Sequence, residues 1–221
     1  INNIIPLESD ESISAILAIK NFDEDNYLFL TTRNGMVNRM SLSSFKKVRN
    51  SGLKAILLKS NDYLFNALHT TGNDKIILSS TSGKSIMFSE SQIRERSRGT
   101  QGVTGIKLPR DSKIISSLNV QCSQVIFVTE NGFGNKISVD SYNEQNRGGQ
   151  GVISIKTSDR NGQVVGAANL DNTDHIILIT NKGKTIKISA DDMKTINRNT
   201  QGVRLQDMSD DEKISAVSSE R

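Results

Sequence analysis

The sequence predicts an all-β chain, a propeller of four-stranded blades with one blade per repeat of about fifty residues. Two landmarks share that period. Four arginines stand just ahead of a glycine in Arg49-Asn50-Ser51-Gly52, Arg98-Gly99-Thr100-Gln101-Gly102, Arg147-Gly148-Gly149-Gln150-Gly151 and Arg198-Asn199-Thr200-Gln201-Gly202, at intervals of 49, 49 and 51 residues. Turn glycines Gly35, Gly83, Gly132 and Gly183 recur at intervals of 48, 49 and 51 residues. The composition agrees, being 35% hydrophobic and 5% aromatic with no tryptophan. That is lean for one large core and sufficient for many thin sheets packed side by side, each burying its own slab.

In each repeat the first strand is an apolar run: Tyr27–Leu30, Lys75–Leu78, Val125–Val128 and His175–Ile179. A glycine turn follows, and then a second run, at Met36–Met40, Lys84–Phe88, Asn135–Val139 and Lys184–Ile188, several of them alternating apolar and polar. Two such runs about a turn glycine form a β-hairpin, because glycine supplies the positive φ that tight hairpin turns require. Short helical turns are expected next, near Ser43-Ser44-Phe45 and Ser89-Glu90-Ser91, since serine favours N-cap positions. Beyond each arginine and its glycine comes a third strand, as in Gly102–Ile106 and Gly151–Ile155, and after a polar turn a fourth, at Tyr63–Leu68, Ile114–Leu118, Val164–Ala168 and Lys213–Val217. At the start, Ile4–Leu7 and Ile13–Leu17 resemble strands three and four of a repeat whose first half is missing. The expected organisation is a half blade over 1–22 and blades over 23–70, 71–119, 120–170 and 171–221. Beginning at Ile1 rather than methionine, the chain is expected to be a fragment of a longer polypeptide.

Catalysis finds little footing in these residues. His69 and His175 occupy unlike places in different repeats and no serine or cysteine nucleophile signature accompanies them. Acidic groups such as Asp23-Glu24-Asp25, Asp191-Asp192 and Asp210-Asp211-Glu212 fall in turns, where solvated loops need them. Tyr27, Tyr63 and Tyr142 fall where packing or surface residues belong. Gly148-Gly149-Gln150-Gly151 lacks the Lys-Ser/Thr that completes a phosphate-binding loop. The glycines at 52, 102, 151 and 202 instead mark a backbone constraint common to the repeats, either positive φ or close packing. The single Cys122 rules out an internal disulfide and any multi-cysteine zinc site, and fits a reducing compartment. No catalytic residue, metal or cofactor is expected, no apolar run is long enough to span a membrane, and no signal peptide is visible.

The 28 Lys and Arg against 24 acids give a net charge of +4, a mild excess that makes distribution decisive. Arg49, Arg98, Arg147 and Arg198, joined by Lys46, Lys47, Arg94, Arg96 and Lys194, fall in the connection between strands two and three, where they would band a rim with positive charge. Guanidinium forks and glycine-flanked N–H groups both suit phosphate. Aromatic residues do not interleave with the cations, which favours contact with a duplex backbone over stacking on unpaired bases. The expected partner is a regularly spaced polyanion.

Several phrases resemble the C-terminal domain of bacterial DNA gyrase A along the whole chain: Thr129-Glu130-Asn131-Gly132-Phe133-Gly134, Arg147–Ile153, Ile177–Gly183 and Arg198–Arg204. The resemblance implies a β-pinwheel, a propeller in which neighbouring blades share a strand, with duplex DNA bent around its basic outer rim. It further implies partnership with the remainder of gyrase A and with gyrase B in the cytoplasm, with the DNA-cleaving tyrosine and the ATPase outside this chain. One departure concerns the family's hallmark heptapeptide, Gln-Arg-Arg-Gly-Gly-Lys-Gly. Its nearest counterpart here is Gln145-Asn146-Arg147-Gly148-Gly149-Gln150-Gly151, in which two cations are replaced, and it stands in a later blade than the family's box. The corresponding domain of the related topoisomerase IV is the alternative within this class, and a protein-interaction propeller is the alternative outside it.

Overall fold

The computed structural model describes residues 7, 11–49, 52–171 and 173–220. In chain order the strands are β1 (Tyr27–Thr32), β2 (Met36–Ser41), β3 (Ile56–Leu57), β4 (Leu64–Thr70), β5 (Lys75–Ser80), β6 (Lys84–Ser89), β7 (Thr100–Gln101), β8 (Val103–Thr104), β9 (Ile114–Asn119), β10 (Gln124–Thr129), β11 (Phe133–Ser138), β12 (Val152–Ile153), β13 (Val164–Leu170), β14 (His175–Thr180), β15 (Thr185–Ser189), β16 (Val203–Arg204) and β17 (Ile214–Glu220). Short 3-10 turns at Leu42–Phe45, Glu90–Gln92, Val139–Ser141 and Ala190–Asp192 follow the second strand of each repeat. Ser41, Ser89, Ser138 and Ser189 cap them, each side chain accepting the N–H two residues on. No helix is long and apolar enough to cross a membrane among the described residues.

Each hairpin is fixed by two local devices. Gly35, Gly83, Gly132 and Gly183 close the turns at φ between 75° and 83°, the left-handed region that a side chain disfavours. Three residues before each of these glycines a hydroxyl sits where the first strand slips register against the fourth, at Thr32, Ser80, Thr129 and Thr180. There it bonds to the returning strand, as in Ser80 Oγ to Lys84 O at 2.9 Å and Met36 N–H to Thr32 Oγ1 at 3.1 Å.

The third strand leaves its own repeat. The sheets run β4-β1-β2-β8, β9-β5-β6-β12 and β13-β10-β11-β16, so each outer strand comes from the repeat that follows. This is the strand sharing that the resemblance implies, and it departs from a blade made of four consecutive strands. The fourth sheet, β15-β14-β17, has three strands, and β3 pairs in parallel with β7. The third strands shorten to two residues because the chain spends only that length along the neighbour before turning inward.

Packing follows the same logic. Fully buried clusters lie between blades: Phe29, Val37, Ile76, Ile86 and Phe88 join the first and second, Ile77, Val125, Phe127 and Ile137 the second and third, and Ile126, Leu170, Ile176 and Leu178 the third and fourth. The slab expected within each repeat is therefore shared by two. The strand expected over Ile13–Leu17 is not formed: residues 11–22 carry no strand and Ile16 is 76% exposed. The strand expected at Ile4–Leu7 lies outside the described residues apart from Leu7.

Candidate nucleic-acid interface

The connections that carry Arg98, Arg147 and Arg198 cross from one blade to the one before it. Their course is set by backbone bonds to the second strand of that blade: Arg96 N–H to Arg39 O at 3.0 Å, Gln145 N–H to Met87 O at 2.8 Å and Ile196 N–H to Lys136 O at 2.9 Å. Successive connections also bond to each other, through Gly99 N–H to Ala55 O at 2.8 Å, Lys107 N–H to Gly149 O at 2.8 Å and Lys156 N–H to Thr200 O at 2.7 Å. The outer edge is thus a belt in which every connection is stitched to its neighbour.

Close approach explains the glycines. A Cβ at Gly102, Gly151 or Gly202 would stand 2.7, 2.4 or 2.5 Å from the carbonyl oxygen of Val37, Ser85 or Gly134 on the receiving strand. At positions 52, 151 and 202, φ is also positive, at 73°, 68° and 76°.

The four arginines do not share one environment. Arg147 is half-buried and donates from Nε to Gln92 O at 3.1 Å and from Nη1 to Thr104 O at 3.2 Å. Arg198, also half-buried, repeats the pattern one blade on, donating to Ser141 O at 3.1 Å and Ile153 O at 3.4 Å, with its guanidinium 5.2 Å from the Tyr142 ring centroid. Exposed Arg98 lies 5.9 Å from the ring of Phe45, the residue equivalent to Tyr142. Arg49 is exposed. Two of the four are therefore engaged by backbone carbonyls of the preceding repeat, a use that periodicity alone could not distinguish from phosphate binding.

Tyr142 is buried beneath Arg198, its hydroxyl 2.6 Å from Ser154 Oγ. Burial pushes its pKa up, against the opposing pull of Ser154 and Arg198. Phe45 and Tyr142 thus serve as platforms for arginines, a pairing across repeats that the linear absence of interleaved aromatics concealed. The aligned spacing, five residues after Met40 and after Ile137, was the available signal.

Lys46, Lys47, Arg94 and Lys194 are exposed along the same belt, while Arg96 is half-buried. The ion pairs among the described residues engage other cations, namely Lys75, Arg110, Lys182, Lys187, Arg204 and Lys213. Among the described residues, no carboxylate forms an ion pair with the belt's cations. A groove of about 530 Å³ opens on it, lined by Lys84, Ser141, Gly151, Asn197, Arg198 and Asn199 among others. Lys84, Asn197 and Asn199 were not singled out by the sequence; only Asn199, beside Arg198, lay within the repeated phrase.

Elsewhere His69 Nε2 bonds Asn26 Oδ1 at 2.8 Å, which gives it a local structural partner. Cys122, Asp171 and Asp174 each place a possible ligand atom within 4.8 Å of the others, a grouping invisible in the sequence. Asp174 there accepts the Asp171 N–H at 2.7 Å, as Asp74 accepts the Thr71 N–H at 2.9 Å in an equivalent turn. The shared geometry is that of the turn.

The family model described as DNA gyrase C-terminal domain, beta-propeller, matches residues 26–71, 74–121, 123–171 and 174–219. The chain belongs to the DNA gyrase C-terminal domain family. It is 38% identical to DNA gyrase A of Salmonella typhimurium over 213 residues, covering 96% of this chain and 24% of that protein. With DNA gyrase A of Neisseria gonorrhoeae the identity is 36% over 265 residues, covering 100% and 29%. The chain thus spans about a quarter of the length of these curated relatives. Among solved structures, a DNA gyrase A C-terminal domain matches with a TM-score of 0.87 at 28% identity, over 99% of this chain and 73% of that one. A DNA topoisomerase IV C-terminal domain matches with a TM-score of 0.91 at 26% identity, over 99% and 69%. In this gyrase-family chain, Arg147, in the phrase nearest to the family's heptapeptide, is engaged by carbonyls. Asn146 and Gln150, which stand where the family's phrase has cations, are exposed.

Proposed function

We propose that this chain is the non-catalytic DNA-binding and DNA-wrapping part of a gyrase A polypeptide, bending duplex DNA around its outer belt to support ATP-dependent negative supercoiling. The observation that carries this reading is the belt itself: Lys46, Lys47, Arg49, Arg94, Arg98 and Lys194 lie exposed on the first, second and fourth of the stitched connections, without a carboxylate partner among the described residues. Regularly placed cations meet a backbone of regularly placed phosphates, and release of condensed counterions drives association without reading sequence. Arg147 and Arg198 act at one remove, holding the track in shape while Lys84 and the groove asparagines offer donors beside it.

Wrapping would present a second segment of the same DNA to the rest of gyrase A and to gyrase B, which would supply cleavage and ATP hydrolysis. That role belongs in the bacterial cytoplasm, where chromosomal DNA is. The decisive experiment is a topology assay of the whole enzyme with and without this segment. Loss of negative supercoiling with DNA cleavage retained is expected; supercoiling that survives the deletion overturns the reading.

The TM-score of 0.91 to a topoisomerase IV domain supports a second reading, a segment of a topoisomerase IV. The same deletion would then impair decatenation without any supercoiling activity to lose.

A further inference from the structure

A second periodic position lies beyond the arginines. The fifth residue after each connection glycine, Gly52, Gly102, Gly151 and Gly202, is Leu57, Lys107, Lys156 and Asp207 in turn. The first three of these lie against the connection of the following repeat. Leu57 pairs in parallel with Gln101, the Lys107 N–H donates to Gly149 O at 2.8 Å, and the Lys156 N–H donates to Thr200 O at 2.7 Å.

Lys107 is fixed in place by its neighbours. The Gly105 N–H donates to Gly35 O at 2.9 Å, the Gly148 N–H donates to Gly105 O at 2.6 Å, and Ile106 is fully buried. The Lys107 backbone thus sits on the peptide that joins Gly149 to Gln150. Its side chain is exposed and forms no ion pair among the described residues. Gly148 and Gly149 put no side chain of their own beside it.

The connections differ in the charge they present. The second, over 90–101, has exposed Arg94 and Arg98, and the residue laid against it is Leu57. The third, over 139–150, exposes Asp140, Asn143, Glu144, Asn146 and Gln150. Its one cation, Arg147, is half-buried and held by the carbonyls of Gln92 and Thr104. Its Glu144 lies 3.9 Å from Lys75. The connection that exposes no cation of its own is therefore the one against which Lys107 is laid. Lysine suits such a relay, because its compact charge rides on a flexible four-carbon stem.

We propose that Lys107, from the second repeat, makes the phosphate contact of the third connection, so that the belt offers a duplex an unbroken row of cations. This rests on the DNA-binding reading above. The contact belongs to two repeats jointly, the second giving the charge and the third the glycine surface over which it reaches the phosphate.

Fluorescence anisotropy of this chain with a labelled duplex, over a salt series, tests the proposal. Lys107→Gln should flatten the slope of log affinity against log salt by about 0.9, the loss of one phosphate contact. Its urea midpoint should stay as in the parent, because the bond to Gly149 comes from the backbone. Lys107→Arg should keep the parent slope. Added to Lys107→Gln, Gln150→Lys should restore the slope by returning a cation to the same peptide. Gln163→Lys, exposed in the turn before β13, adds the same charge elsewhere and should not. A parent slope retained by Lys107→Gln, or equal rescue by the two added lysines, overturns the proposal and leaves the DNA-binding reading standing. A parent chain without salt-dependent affinity for duplex DNA overturns both.

Discussion

The Nε–H of Arg147 points at the backbone carbonyl of Gln92, 3.1 Å away and one repeat earlier in the chain, while Nη1 reaches the Thr104 carbonyl at 3.2 Å. One side chain thereby ties both ends of the previous connection. Arg147→Ala removes both donors and leaves half-buried carbonyls unsatisfied, at a cost of about 1–3 kcal/mol. Urea denaturation should show a lower midpoint. Lys46→Ala, at an exposed position, should leave that midpoint within experimental error.

On the proposed function, the exposed belt cations should divide from the clamps in DNA binding. Replacing Lys46, Lys47 and Arg49 with glutamine should weaken binding to all duplex sequences alike, the slope of log affinity against log salt falling by about 0.9 for each phosphate released. Fluorescence anisotropy over a salt series measures this. A slope unchanged by the triple substitution would remove these three residues from the interface.

Position 147 also suggests a gain of function. Because Asn146 and Gln150 are exposed on either side of the clamp, Asn146→Arg with Gln150→Lys adds charge without disturbing Arg147. Affinity for duplex DNA at moderate salt should rise roughly tenfold if both cations reach phosphate, with a slope steeper by about 1.8. Circular dichroism and urea midpoint should stay as in the parent.

Gly151 and Gly52 separate two reasons for glycine. Both hold positive φ, at 68° and 73°, but only at Gly151 would a Cβ meet a backbone oxygen, Ser85 O at 2.4 Å. Gly52→Ala should cost about 1–2 kcal/mol for the left-handed conformation. Gly151→Ala should cost about 1–3 kcal/mol more, from forced separation of the two strands. Urea titrations of the two variants make the comparison, and equal losses would mean that the close approach is readily relieved.

Glu130 carries a pH dependence. It accepts Lys213 Nζ at 2.7 Å and the Gln163 N–H at 3.0 Å. Partial burial pushes its pKa up, but these two donors outweigh that, and the result lies below the ordinary value of 4.5. A depressed folded-state pKa means stability that is present above 4.5 and lost as pH falls through the folded value. Glu130→Gln should thus cost at most about 1 kcal/mol at neutral pH, since the pair is surface-screened. The difference from the parent should vanish in acid, as followed by thermal melts.

Much of the fold was legible because hairpin chemistry is local. Gly35, Gly83, Gly132 and Gly183 with their flanking apolar runs specify the first two strands, and Ser89 specifies the capped turn after its hairpin, whereas the turn expected at Ser43 is capped two residues earlier, by Ser41. What the residues alone concealed was which sheet Val103, Val152 and Val203 would join, since a two-residue strand carries no address of its own. The address lies in the close approach of glycines to distant carbonyls. The site was legible as a periodic row of cations. The split within that row was not, because Arg147 and Arg49 look alike in sequence and differ only in whether a preceding repeat offers carbonyls.

Strand sharing also gives the molecule a direction of failure. Were the fourth repeat to melt, β16 would be torn from β11 and the third blade would lose its outer edge. Melting of the first repeat would leave the second blade's four strands intact, for β12 comes from the far side. Unravelling should therefore travel from later repeats toward earlier ones, and amide exchange should report a gradient of protection along the chain instead of four equal modules.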